Sequence, residues 1–193
     1  MSSKLYLIAG HNGAGKTTFL KEFIKTKKLS YINVDEIAQK ISLDNFSLLS
    51  IKAGKIALKK IKKFLKKKSD FVVETTLSGK MWKRLISDFK KANYYITIFF
   101  IYLDSPEEAV KRVAIRIKKE GHYVSKEDVH RRYFRSISNF WLIYKNLADE
   151  WFLINNSEKF PYLVANRVKE DYQVVDKESL KKFLLIVKEK EGR

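Results

Sequence analysis

Gly10-His11-Asn12-Gly13-Ala14-Gly15-Lys16-Thr17 constrains this chain more than any other stretch, because two glycines separated by four residues and followed by Lys and Thr form a phosphate-binding pattern. An apolar run, Leu5-Tyr6-Leu7-Ile8-Ala9, precedes it, and the helical pattern Phe19, Leu20, Phe23, Ile24 follows. That is the strand, loop and helix context the pattern requires, and a chance lysine in a glycine-rich turn would not require it. Gly10, Gly13 and Gly15 let the backbone turn its N–H groups inward as an anion nest at the positive end of the helix. The expected nucleotide-binding segment is Gly10, His11, Asn12, Gly13, Ala14, Gly15, Lys16, Thr17 and Thr18. Lys16 is expected to reach the β and γ phosphates, and the Thr17 hydroxyl to hold Mg2+.

Downstream, Ser30-Tyr31-Ile32-Asn33-Val34 predicts a second strand with Asp35 at its carboxyl edge. From position alone, Asp35 either faces the ligand crevice of a parallel α/β sheet or caps the helix that follows. Residues 48–68 predict a long helix. Phe71-Val72-Val73 predicts a short third strand that ends in Glu74-Thr75-Thr76. An acid and two hydroxyls at such an edge can hold a metal-bound water or a substrate hydroxyl, or can satisfy their own turn. Trp82, Leu85, Ile86 and Phe89 give the next helix a bulky stripe for the core.

Tyr94 to Leu103 predicts a central strand buried on both faces, and Asp104-Ser105-Pro106 starts a helix. That helix carries Arg112 and Arg116 four residues apart. Ser125 with Asp128 marks a further helix start, and Arg131, Arg132 and Arg135 follow. A helix-loop-helix lid over about 106–140 is the expectation, with Arg116, Arg132 and Arg135 as candidate cations for a transferring phosphoryl group. Glu108 and Asp128 are the carboxylates that could instead pair with individual arginines. Trp151-Phe152-Leu153-Ile154 predicts a fifth strand with a polar exit, Asn155-Asn156-Ser157. Residues 162–165 and 172–175 suit short edge strands, and Leu180, Phe183, Leu184 and Val187 mark a last amphipathic helix. The alternation predicts an α/β fold, a single three-layer domain over 1–193 with a parallel sheet of about five strands, and the phosphate loop with the arginine-bearing helices makes the expectation a P-loop NTPase or kinase fold with a helical lid.

Composition narrows the partners. The net charge of +18, from 40 Lys+Arg against 22 Asp+Glu, raises nucleic acid, membrane surface or acidic protein. Lysine on solvated helix faces accounts for most of the excess, as in Lys59 to Lys68, and no base-stacking platform accompanies it; nucleic acid is therefore not the expected partner. No cysteine occurs, which excludes disulfides and thiolate metal sites, and His11, His122 and His130 are too few and scattered for zinc. No signal pattern or bilayer-length apolar run is present, so a cytoplasmic location without membrane attachment is expected.

Taken together, Gly10 to Thr18, Asn33-Val34-Asp35-Glu36-Ile37-Ala38, Glu74-Thr75-Thr76-Leu77-Ser78-Gly79, Gly121-His122-Tyr123-Val124 and Arg131-Arg132-Tyr133 resemble the zeta toxin family of P-loop kinases, over roughly residues 4–165. The resemblance implies an ATP- and Mg2+-dependent kinase. In it Lys16 binds phosphates, Thr17 binds Mg2+, Asp35 takes the proton of the acceptor hydroxyl, and Glu74, Thr75 and Thr76 help hold acceptor and metal. It also implies a nucleotide-sugar acceptor, the 3′-hydroxyl of UDP-N-acetylglucosamine, and an acidic antitoxin protein as partner. His11 stands where a proline is frequent, and Asn155 where an aspartate is common. Two other readings share the loop: a kinase of another small molecule or of a polynucleotide end, and a nucleotide-switched binding module, which would not use Asp35.

Overall fold

The computed structural model describes residues 2–27, 29–33, 46–120 and 124–191. Five strands run parallel: β1 (Ser3–Ala9), β2 (Ser30–Asn33), β3 (Phe71–Thr75), β4 (Tyr94–Tyr102) and β5 (Glu150–Asn155). Two more, β6 (Tyr162–Val168) and β7 (Asp171–Val174), extend the sheet antiparallel, giving the order β2-β3-β1-β4-β5-β6-β7. The expected sheet of about five parallel strands is present, and the short edge segments form a hairpin upon it. Val168 pairs with Asp171 across Lys169 and Glu170, a connection too short for anything but an antiparallel return.

Between the strands lie α1 (Lys16–Lys27), α2 (Phe46–Lys67), α3 (Met81–Lys91), α4 (Pro106–Glu120) and α5 (Lys126–Asn139). A π-helical turn, Phe140–Tyr144, and the single turn α6 (Lys145–Leu147) continue α5, and α7 (Lys177–Glu191) closes the described chain. Local chemistry explains several of these boundaries. Pro106 opens α4, where its missing N–H is harmless, and Ser125 caps α5 by accepting from Asp128 N at 3.1 Å.

The pleat of β1 divides the core in two. Leu5, Leu7 and Ala9 face a cluster with Trp82, Leu85, Ile86 and Phe89 of α3, Val113 of α4, Val129, Tyr133 and Ile137 of α5, and Phe183 of α7. Tyr6 and Ile8 face the opposite way, against Phe19, Leu20 and Phe23 of α1. The result is three layers. Each fully buried large apolar side chain of the α3 stripe contributes about 1.5–3 kcal/mol. The lysine run behaves as a solvated face: Ile61 is fully buried, whereas Lys59, Lys60, Lys62, Lys63, Lys66, Lys67 and Lys68 are exposed.

The strand order also fixes where a ligand can bind. From β1 the chain crosses to β2 on one side of the sheet, whereas from β4 it proceeds to β5 on the other. The carboxyl ends of β1 and β4 therefore border a switch point, where parallel α/β sheets open a crevice.

Candidate active site

The loop from Gly10 to Gly15 leaves β1 at that switch point and delivers Lys16, Thr17 and Thr18 to the first turn of α1. Close approach of backbone and backbone angle together require glycine at position 10, and backbone angle favours it at position 15, where the Asn156 side chain also comes near. At Gly10 (φ 142°) a Cβ would stand 2.0 Å from the Ile101 carbonyl oxygen of β4. At Gly15 (φ 95°) it would stand 2.3 Å from Asn156 Nδ2, the amide that donates to Ala14 O at 2.9 Å. The loop is thus clamped between the ends of β4 and β5.

Lys16 is buried and donates from Nζ to His11 O at 3.0 Å, so its ammonium lies over the loop. Thr17 is exposed at the start of α1, and its Oγ1 donates to Glu74, 3.0 Å from each carboxylate oxygen. Glu74 is 4% exposed and accepts a further bond from Asn33 Nδ2 at 3.3 Å. Asn33 and Glu74 are direct partners in the β2–β3 register, which brings three chain segments to one point. A hydroxyl beside a carboxylate at a phosphate loop is an all-oxygen donor set suited to Mg2+, which takes one or two protein oxygens and completes its shell from phosphates and water. The Oδ1 of buried Asn12 has no hydrogen-bond partner among the described residues, a polar atom that a bound group could satisfy.

Thr75 and Thr76 follow Glu74 but face different tasks. Thr75 is buried, and its hydroxyl accepts from Trp82 Nε1 at 2.9 Å and from Leu77 N at 3.3 Å. Thr76 Oγ1 lies 2.9 Å from Ser78 Oγ, half-buried. Leu77 between them has φ 52°, unfavourable for a branched side chain, and is held there by Thr75 and by Asn139 Nδ2 donating to its carbonyl at 3.0 Å. Asp35, expected two residues beyond Asn33, lies outside the described residues, as does Gly121-His122-Tyr123.

The arginines divide into two sets. Arg112 donates to Glu108 Oε1 at 2.7 Å and to Asn156 O at 2.9 Å, tying α4 to the strand exit that holds the loop. Arg131 pairs with Asp128 at 2.5 Å. Among the described residues no carboxylate lies within ion-pair distance of Arg116, Arg132 or Arg135. Arg116 and Arg132 are half-buried, Arg135 is exposed, and the Nε of Arg116 is enclosed without a hydrogen-bond partner among the described residues.

Several contacts are absent from the sequence reading. Asn33 orients Glu74, and Asn156 reaches across 142 residues to the loop. His11, expected there only as a member of the nucleotide-binding segment, is fully buried. Its Nδ1 donates to Asn12 O at 2.8 Å and its Nε2 accepts from Leu103 N at 3.0 Å, a pattern only the neutral ring can make. Burial first, then the nearby Lys16 and Arg112 charges, lower its pKa to about 3, against a raising contribution from the Asn12 carbonyl. Asn155, at the aspartate position, donates to Asp104 Oδ1 at 2.9 Å and knits the ends of β4 and β5.

The fold is that of the P-loop kinases. More narrowly, the zeta toxin family model matches residues 2–156, and the chain belongs to that family. An uncharacterized protein of Haemophilus influenzae is 30% identical over 133 residues, which is 69% of this chain and 94% of that protein. Among solved structures, the AvrRxo1-ORF1:AvrRxo1-ORF2 complex with sulphate ions superposes with a TM-score of 0.75 at 16% identity. The match covers 94% of this chain and 63% of that one; the same complex with ATP gives a TM-score of 0.72. The PezAT chromosomal toxin-antitoxin system of Streptococcus pneumoniae gives 0.65 at 16% identity, covering 97% of this chain and 87% of that one. Among the described residues no helix is long and apolar enough to cross a membrane.

Proposed function

We propose that this chain is a single-domain, cytoplasmic, ATP-dependent kinase that transfers the γ-phosphoryl group of ATP to a sugar hydroxyl of a nucleotide sugar, as the toxin of a toxin-antitoxin pair. The observation that carries the reading is the Thr17–Glu74 contact at the phosphate loop, since it joins a Mg2+-type hydroxyl to a buried carboxylate from the neighbouring strand. Thr17 and Glu74 would hold Mg2+, which when bound supplies charge neutralisation to the β and γ phosphates. The backbone from Gly10 to Gly15 and the Lys16 ammonium bind the phosphates. Asp35 orients the acceptor hydroxyl and takes its proton as the new O–P bond forms and the bond to the ADP oxygen breaks. Arg116, Arg132 and Arg135, which lack carboxylate partners among the described residues, are the cations the helix pair α4–α5 brings to the transferring group as a lid over about 106–140.

The acceptor we infer is UDP-N-acetylglucosamine at its 3′-hydroxyl. Family membership supports it, and arginines on α4 and α5 that have no carboxylate partner among the described residues suit a diphosphate acceptor as well as ATP. An acidic antitoxin protein fits the +18 net charge, and the toxin-antitoxin character of the PezAT relative supports such a partner. The test is mass spectrometry of a metabolite extract, and separately of UDP-N-acetylglucosamine, incubated with protein, ATP and Mg2+. A product heavier by one phosphate on the sugar is expected. Phosphorylation of another extract component with the nucleotide sugar untouched would remove the acceptor assignment, and no phosphorylated product in either sample would remove the kinase reading.

A further inference from the structure

We propose that His11 and Tyr133 form a positioning pair that references the lid helix α5 to the phosphate loop through the peptide of Leu103. The inference rests on the kinase reading and names positioning residues for that site. Leu103 is the first residue beyond β4, past the last β4–β5 register pair, Tyr102 with Asn155. Both its backbone polar groups are taken by side chains from elsewhere. Its N–H donates to His11 Nε2 at 3.0 Å, and its carbonyl accepts from the Tyr133 hydroxyl at 2.8 Å. The two rings also touch, with centroids 4.6 Å apart and planes inclined at 52°. Loop, strand exit and helix thus form a closed triangle of three contacts, all buried.

The chemistry fixes the direction of every bond. Asn12 O can only accept, so the His11 proton is on Nδ1 and Nε2 is left as the acceptor for Leu103. Burial pushes the Tyr133 phenol up, keeping it a donor. Because interiors are close-packed, a shift of α5 cannot be absorbed at Tyr133 without moving Leu103 or His11. Tyr133 lies on α5 beside Arg132 and two residues before Arg135, so the same constraint sets where those cations stand relative to Lys16, which itself donates to His11 O. The loop already abuts this strand end at Ile101, where a Gly10 Cβ would have no room.

The test uses the full chain and three substitutions. Tyr133→Phe removes only the hydroxyl. His11→Leu removes both ring nitrogens and leaves the Leu103 N–H unsatisfied. His11→Gln restores an acceptor at the reach of Nε2. Loss of one buried bond of this kind corresponds to about tenfold. We expect kcat to fall about tenfold in Tyr133→Phe and His11→Leu with the ATP dissociation constant within about twofold, and His11→Gln to recover to within about threefold of wild type. The double variant His11→Leu/Tyr133→Phe should be no slower than the worse single variant. Hydrogen exchange supplies a readout that needs nucleotide binding but not turnover. ATP should slow exchange across 126–139 in the wild type and in His11→Gln, and this protection should vanish in the other two although calorimetry still records ATP binding. Multiplying single-variant effects, or retained ATP-linked protection in both defective variants, would overturn the pairing. Wild-type protein that binds ATP without any added protection of 126–139 would also overturn it, while leaving the kinase reading intact.

Discussion

Glu74→Gln separates metal binding from folding, because it removes one charge and almost no volume. The Thr17 hydroxyl lies 3.0 Å from both Glu74 oxygens. Adding a Mg–O distance of about 2 Å places the carboxylate within about 5 Å of a cation on Thr17. At an effective dielectric of about 20, a unit charge at that distance contributes roughly 3 kcal/mol, or about 10²-fold in affinity. The amide can still accept from Thr17, so the ligand-free protein should melt within about 2 °C of wild type.

The ligand-bound protein should differ sharply. At Mg·ATP about 100-fold above its dissociation constant, binding stabilises the native state by ~2.7 kcal/mol, and a site weakened 10²-fold retains ~0.4 kcal/mol at the same concentration. The ~2.3 kcal/mol difference is a loss of roughly 5–9 °C from the ligand-induced shift in Tm for a chain of this size. Thermal melts with ATP plus Mg2+, and with ATP plus EDTA, measure it directly. The metal-free shift should be as large in Glu74→Gln as in wild type. An undiminished Mg·ATP shift in the variant would refute the placement of the cation between Thr17 and Glu74.

Lys16→Ala should weaken ATP binding and turnover together, whereas Asp35→Ala should keep ATP affinity within a few fold and lose roughly 10²-fold or more in kcat; unchanged turnover in Asp35→Ala removes the proposed base. Single alanines at Arg116, Arg132 and Arg135 should identify at least one position where kcat falls by ~10³-fold with ATP affinity retained; intact kcat at all three would make the cluster a solvated surface. The buried neutral His11 predicts acid sensitivity. Its folded pKa of about 3 is depressed below an unfolded value of about 6.5, so the unfolded chain binds the extra proton between those limits and stability rises with pH there. Denaturation between pH 6.5 and 4.5 should show wild type losing up to ~1.4 kcal/mol per pH unit from this group, a slope missing from His11→Gln.

Much of the framework is legible in the chain because it is written in local periodicity. The loop and its flanks, the α3 stripe and the Ser125 cap each lie within a few consecutive turns of sequence, and the structure has them where the pattern predicts. What escapes is contact made by strand order. Asn33 reaches Glu74 only because β2 and β3 are neighbours in register, although 41 residues separate them. Asn156 reaches Ala14 only because β5 ends beside the loop, and nothing in Asn155-Asn156-Ser157 alone distinguishes a loop clamp from a neighbour of the nucleotide base. His11 shows the same limit from the other side. Its position in the motif reads as a backbone role, and its side chain acquires another through Leu103, 92 residues away.

The distribution of buried polar groups explains why these contacts gather where they do. Twelve polar or charged residues are buried among the described residues, and six of them, His11, Asn12, Lys16, Asn33, Glu74 and Thr75, lie in the loop, at the start of α1 or at the adjoining ends of β2 and β3. Elsewhere, Thr97 and Asn155 apart, the buried side chains of the strands are apolar. Burying a polar group without a partner costs about 1–3 kcal/mol, so a core that only needed to fold would not concentrate them at one sheet edge. Here nearly every one is satisfied, Lys16 within the loop on His11 and the others by a bond from another segment: Thr17 and Asn33 on Glu74, Trp82 on Thr75, Leu103 on His11. Those bonds hold donors, a hydroxyl and a carboxylate in fixed directions before any ligand arrives. Phosphoryl transfer gains most from such fixed placement, since its transition state requires position and charge more than covalent help from the protein. The polar edge, costly for folding alone, is therefore the part of the molecule that the proposed reaction would use, and the apolar helices behind it hold that edge in register.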